Sequence, residues 1–272
     1  AMESIPLQLL LGLGLSAVVG GIGYWRQSLS ASGVVGAVIV GSLIFGRGGW
    51  IWGLLLITFF VSSSLLSHYR QRDKEVVAEK FAKGGRRDLG QVLANGGMGA
   101  ILAVVYHSNP EPVLLAAYLG VMATVNADTW ATELGVLARE TPRLITTGQP
   151  VSPGTSGGIT RYGTLAALTG AAFIGVAAFV LIQLASLATS GALLLADLPI
   201  VVIAAAAGLV GSLFDSLLGA TVQRIYWCDR CEKETERQVH SCGVHTRPLR
   251  GWGWMNNDMV NFVSSLVGGL LA

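Results

Sequence analysis

Residues 163–187 read GTLAALTGAAFIGVAAFVLIQLASL, twenty-five positions without one charged side chain. As a helix rising 1.5 Å per residue, this stretch is about 37 Å long, enough to cross a hydrocarbon core of roughly 30 Å. Working outward in both directions, the same signature recurs at about 5–24, 31–45, 49–67, 92–106, 112–125, 198–222 and 255–271. The segments 31–45, 92–106 and 112–125 are short and rich in glycine, the pattern of tilted or broken spans. No positive start and no small-residue cleavage site precede the first, so it reads as a retained span and not a leader. Composition agrees: 52% of residues are hydrophobic, 12% are charged and 36 are glycine, against about 25% charged in a soluble domain. Glycine lets membrane helices approach closely. The expected fold is all-α: a polytopic integral membrane helical bundle of about eight transmembrane helices with cytoplasmic loops. It forms one domain over 1–272, with a cytoplasmic Cys/His-containing loop, 223–254, inserted.

Charge distribution gives the orientation. With the N-terminus outside, the inner loops are 25–30, 68–91, 126–162 and 223–254. They hold 17 of the 18 lysines and arginines, leaving only Arg47 outside. Cytoplasmic loops carry the excess of basic residues in membrane proteins. The outer loops are short, so the polar material is expected on one face, working on cytoplasmic solutes. A net charge of +2 gives no reason to expect a nucleic-acid partner.

Six polar constellations stand out on that face. In NADTWATELG (126–135), Asp128 and Thr132 share a helix face, and Glu133 shares one with Thr129. Carboxylates beside an apolar span are costly and usually functional, the alternative being an interface ion pair. In GSLFDSLLGAT (211–221), Gly211, Asp215 and Gly219 recur every fourth residue, which gives a narrow packing face and points Asp215 into the bundle. In NNDMVN (256–261), Asn256 fits an ordinary helix cap. Asn257, Asp258 and Asn261 exceed what capping needs. In PGTSGGIT (153–160), Gly154, Thr155, Ser156 and Gly157 leave backbone N–H groups free to cradle phosphate, although a plain turn is equally compatible. In KGGRRDLGQVLANGG (83–97), Lys83, Arg86 and Arg87 are suited to neutralising phosphate, while Arg70, Arg72 and Lys74 read as headgroup anchors. Finally, Cys228-x2-Cys231 followed by His240-x-Cys242 offers four ligands in a closed set, as in a structural zinc knuckle, with His245 a competing ligand. Free thiols in a reducing compartment are the other reading. Carboxylates and amides at the remaining positions suit Mg²⁺. Together with phosphate-binding groups they suit phosphoryl or nucleotidyl transfer, where catalysis is mostly positioning and charge neutralisation.

QVLANGG, NADTWATELG, PGTSGGIT, GSLFDSLLGATVQ and the closing CxxC…HxCG…NND-x-VN resemble, in that order, a membrane family containing plant and cyanobacterial phytyl-phosphate kinase and animal transmembrane protein 19. The resemblance runs from about Gln8 to the C-terminus. It implies a kinase that converts phytyl monophosphate to phytyl diphosphate with a nucleoside triphosphate, CTP being favoured, in the salvage of phytol toward tocopherol and phylloquinone. The motif residues carried over are Asn95, Asp128, Glu133, Gly154, Thr155, Gly157, Asp215, Ser216 and Asp258. Chemistry then suggests roles. Asp128 and Asp215 would hold Mg²⁺, and Gly154 to Gly158 would wrap the triphosphate. Lys83, Arg86 and Arg87 would offset its charge. Asp258 with Asn257 would place the acceptor, and Asn126 and Asn261 would complete the polar lining. The expected partners are a nucleoside triphosphate, a prenyl phosphate lipid and membrane lipids. The membrane is the plasma membrane or an internal one such as the thylakoid. A CTP-dependent lipid cytidylyltransferase and a membrane transporter are the alternatives.

Overall fold

The computed structural model describes residues 4–78, 85–193 and 195–272. Among them, seven helices are long and apolar enough to span a bilayer. They are α1 (Ser4–Trp25), α2 (Ala31–Leu43, prolonged by a π turn, Ile44–Gly48), α3 (Trp50–His68), α5 (Leu89–Ser108), α6 (Pro112–Gly135), α7 (Arg161–Ser190) and α8 (Pro199–Thr221). A short α4 (Gln71–Ala78) follows α3, and α9 (Asn257–Leu271) closes the chain. Against about eight expected spans, seven reach a spanning length among the described residues. The remaining segment is α9, 15 residues and about 22 Å long. It packs against α5, α6 and α8, with its polar first turn inside the bundle end.

Two further expectations change. The inner loop assigned to 126–162 begins later, because α6 continues to Gly135. NADTWATEL contains no proline or glycine to stop a helix, so its acids ride on a membrane helix. The loops also carry strands, so the fold is helical but not purely so. β1 (Arg143–Leu144) pairs antiparallel with β2 (Gly158–Ile159). β3 (Ile225–Cys228) lies between β4 (Lys233–Thr235) and β5 (Arg247–Arg250), antiparallel to both.

α6 is the central helix. Ten consecutive residues, Tyr118 to Ala127, are buried, because α7, α8 and α9 pack around it with α3 and α5. Helices approach closely at these crossings. A Cβ on Gly120 would run into the carbonyl of Gly268 on α9, and one on Gly211 of α8 would run into Thr124 of α6. The small-residue face predicted for 211–219 therefore meets α6 at Gly211 and the loop residue Gly157 at Gly219, with Asp215 between them. Near the opposite end, Tyr118 stacks on Trp52 at 4.2 Å between centroids and donates to its carbonyl at 2.7 Å.

Since the helices alternate in direction, the C-terminal ends of α1, α3, α6 and α8 and the N-terminal ends of α2, α5, α7 and α9 share one end of the bundle. Tyr24, Trp25, Tyr69, Tyr162, Trp252 and Trp254 are exposed there. Such amphipathic rings favour the headgroup level. They place a membrane–water boundary at that end, where the described residues of the polar constellations read from the sequence also lie.

Candidate functional site

A cavity of about 920 Å³ opens where these helix ends and loops meet. Three helices each bring an aspartate to it: Asp128 from α6, Asp215 from α8 and Asp258 from the first turn of α9. Asp128 and Asp215 lie close enough to interact electrostatically. Among the described residues, no lysine or arginine forms an ion pair with either. Two facing, largely buried carboxylates without a cation are unfavourable unless a cation joins them. Their oxygen donors suit a hard divalent ion such as Mg²⁺. α9 fixes the geometry. Ser264 Oγ donates to Asp215 Oδ2 at 2.9 Å. Asn261 Nδ2 donates to Asn95 Oδ1 at 3.4 Å in one amide orientation, and in the turned orientation it donates instead to Asp215 Oδ2 at 3.1 Å and Asn257 O at 3.2 Å. Asn256 caps α9, accepting from the Met259 N–H at 3.0 Å, as its position in the sequence suggested.

The glycine loop forms the wall beside α8. Gly154, Thr155, Ser156 and Gly157 all line the cavity, with Ser216. Gly154 and Gly157 have φ of +77° and +83°, conformations that side-chain-bearing residues avoid. Gly157 also abuts α8, where a Cβ would lie 2.6 Å from the Ala220 nitrogen. Gly219 lies against the Gly157 nitrogen in the same way, at 3.0 Å from where its Cβ would stand. The loop is thus pressed onto the helix that carries Asp215.

The facing wall is basic. Arg86 and Arg87 line it. Lys83 lies outside the described residues. Arg87 is held by its backbone, donating to Ser28 O at 2.9 Å and accepting from Ser30 N at 3.0 Å. Its Nη1 donates to Ser64 Oγ at 3.0 Å. Burial lowers the Arg87 pKa, partly offset by attraction from Glu133. Lys74 corrects a sequence expectation. Far from anchoring headgroups, it is buried on the cavity wall and binds Glu133 Oε2 and Leu66 O, both at 2.6 Å. Ser67 occupies the other Glu133 oxygen at 2.6 Å. Glu133 lines the cavity with both oxygens engaged, so its visible task is to hold Lys74. Asn126 is also corrected. It is fully buried away from the cavity, accepting from Ser62 Oγ at 2.9 Å and donating to Gly170 O at 2.6 Å. It braces α3, α6 and α7.

The Cys/His loop forms a knuckle. The ligand atoms of Cys228, Cys231, His240 and Cys242 all lie within 4.8 Å of one another, and all three cysteines are free thiols. The Cys228–Cys242 sulfur separation of 3.6 Å and the His240 Nδ1–Cys242 Sγ separation of 3.3 Å approach the edge of roughly 3.8 Å for a tetrahedron with 2.3 Å zinc–sulfur bonds. The donors fit zinc, with His240 and not His245 completing the set. The His240 hydrogen bond draws the Cys242 thiol down to about 6, whereas its hydrogen bond to Cys242 pushes Cys231 up to about 11.

Several residues in or braced against the cavity wall escaped the sequence reading. Glu236, adjoining β4, accepts from Ser156 Oγ at 3.3 Å and from Gln223 Nε2 at 2.8 Å. It fastens the knuckle to the glycine loop, eighty residues earlier in the chain. Arg250 adds a bond to Gly219 O at 2.9 Å. Only the hairpin return of the chain brings these groups together. Ser264 was likewise hidden as one serine in an apolar run.

Comparison with known proteins adds an independent finding. Residues 14–269 match the family model described as integral membrane protein DUF92. The chain is 34% identical to Protein PGR of Arabidopsis thaliana, covering 99% of this chain and 97% of that protein. It is 32% identical to an uncharacterized membrane protein of Methanocaldococcus jannaschii, covering 90% and 84%. It is 27% identical to Protein VTE6, chloroplastic, of Arabidopsis thaliana, covering 90% and 64%. No solved structure matches.

Proposed function

This chain belongs to the DUF92 family of integral membrane proteins, and we propose that it is a Mg²⁺-dependent prenyl-phosphate kinase. It would transfer the γ-phosphate of a nucleoside triphosphate, CTP favoured, to phytyl monophosphate. The observation that carries this reading is the meeting of Asp128, Asp215 and Asp258, from three helices, with a glycine loop and two arginines in one cavity at the membrane boundary. Likeness to the phytyl-phosphate kinase family, now supported along nearly the whole chain, supplies the substrate class.

In this reading, Asp128 and Asp215 would hold Mg²⁺, which would supply neutralisation of phosphate charge. Backbone N–H groups of Gly154, Ser156 and Gly157 receive the triphosphate, those of Thr155 and Gly158 closing the turn on Ser152 O and Thr155 O. Arg86 and Arg87 meet anionic oxygens in a site where charge-assisted bonds are strong. An oxygen of the acceptor monophosphate attacks the γ-phosphorus, forming a new P–O bond. The bond to the bridging oxygen of the β-phosphate breaks, and the nucleoside diphosphate leaves. The acceptor is already ionised near pH 7, so positioning replaces a strong base. Asp258 and Asn257 orient it. The excess of basic residues at the cavity end supports a cytoplasmic site with the N-terminus outside, in a plasma or internal membrane. The knuckle would hold zinc structurally.

The test is turnover by detergent-purified protein with phytyl monophosphate, Mg²⁺ and each of four nucleoside triphosphates, products being separated by mass. Phytyl diphosphate with a nucleoside diphosphate is expected. Pyrophosphate with a nucleotide-linked lipid would replace the kinase with a cytidylyltransferase. No consumption of any nucleotide by folded protein would remove the reading.

A further inference from the structure

A second, apolar crevice of about 70 Å³ lies among α1, α2, α3 and α5. Val19, Ala37, Val40, Phe60 and Val92 contribute to its walls. Two residues, Arg87 and Asn95, line both this crevice and the polar cavity. The two spaces therefore meet at a guanidinium and an amide. Arg87 spans the junction. Its Nη1 reaches Ser64, while its guanidinium carbon lies 5.8 Å from the centre of the Phe60 ring, part of the crevice wall. Among the described residues Arg87 forms no direct ion pair; Glu133 attracts it from a distance but spends its oxygens on Ser67 and Lys74, so the guanidinium keeps capacity for a further anion. Water needs roughly 10–15 Å³ of such space per molecule, so 70 Å³ accommodates about five water-sized groups. That is close to the bulk of one five-carbon unit and too small for a twenty-carbon chain.

We infer that the crevice seats the phosphate-proximal isoprenoid unit of the lipid acceptor, with Arg87 binding the acceptor phosphate at the junction. The inference rests on the prenyl-phosphate reading and deepens it, because it divides the site. The acceptor enters from the α2–α3–α5 side. The nucleotide occupies the opposite side, against the glycine loop and Glu236. The remaining carbons of the tail lie in the bilayer. Specificity then falls on the branched unit next to the phosphate, which a crevice can enclose, more than on total chain length.

The test combines labelling with kinetics. A phytyl monophosphate analogue carrying a diazirine on its first five-carbon unit is photolysed with the full-length protein in detergent. Label is expected on peptides containing Ala37, Phe60 or Val92, displaced by phytyl monophosphate and reduced in Ala37→Phe, where the ring fills the crevice. In Ala37→Phe the KM for the lipid acceptor should rise at least tenfold, with the nucleotide KM unchanged. Val92→Phe provides a second filling variant if the first fails to fold. Label confined to α7 or α8, label not displaced by the phosphate lipid (an ordinary bilayer-lipid groove), or unchanged acceptor KM in a folded filling variant would each overturn the inference. Labelling is read without turnover, so displaceable crevice label in a protein with no kinase activity would sink the reaction and leave the lipid site standing.

Discussion

Replacing Gly157 with alanine probes whether the glycine loop acts as a fitted phosphate cradle. Gly157 holds φ at +83°, and a Cβ there would sit 2.6 Å from the nitrogen and Cα of Ala220 in α8. Ordinary contact begins near 3.4 Å, so the loop must withdraw by about 0.8 Å, since helix backbone yields less readily than loop. The left-handed conformation itself costs a side-chain-bearing residue about 1–2 kcal/mol. Misplacing reacting groups by about 1 Å costs on the order of 100-fold in rate. Gly148 supplies the control, with φ of +69° and open space where its Cβ would go. Gly148→Ala should carry the same conformational strain and none of the displacement. Thermal unfolding in detergent and steady-state kinetics on both variants separate the two effects. Both should lose stability, Gly157→Ala more because its loop must leave α8, and only Gly157→Ala should lose about 100-fold in kcat/KM, much of it in the nucleotide KM. A folded Gly157→Ala protein with wild-type kinetics would refute the assignment of this loop to the nucleotide.

Asp128→Asn and Asp215→Asn should each abolish turnover without unfolding the protein, because removing one of two interacting carboxylates relieves repulsion; Mg²⁺-dependent kinetics with thermal scans would check both halves. Breaking the part-buried Lys74–Glu133 pair by Lys74→Met should destabilise by about 3 kcal/mol, since it strands a buried carboxylate, whereas Lys74→Met with Glu133→Gln should recover most of that loss in a thermal double-mutant cycle. Purified protein should carry about one zinc per chain by elemental mass spectrometry, and Cys228→Ser should lose it. Because Glu236 ties the knuckle to Ser156, metal loss should also raise the nucleotide KM before it lowers overall helix content; equal affinity with and without metal would uncouple the two.

What the sequence revealed and what it hid follow from the range of the forces involved. Span positions are legible because a bilayer imposes the same apolar requirement on each helix. Their ends are less legible: α6 runs ten residues past the expected boundary, because nothing local stops it and its acids face a cavity made by other helices. The four-residue spacing of Gly211, Asp215 and Gly219 correctly implied a close-packed face, since that spacing is a property of one helix. The partner of that face was not implied. The Cys/His spacing likewise gathered four ligands, a local matter, but nothing in it pointed to Glu236 or to the glycine loop. Asn126 shows the converse limit. Beside Asp128 it looked like site chemistry, yet one residue turn on a helix is about 100°, and two positions are enough to carry Asn126 from the cavity into the helix interface. Hydrogen bonds to Ser62 and Gly170 satisfy it there. A polar residue in a membrane helix must be satisfied either way. Sequence alone registers that need, and only the neighbouring helices decide whether a substrate or a backbone carbonyl meets it.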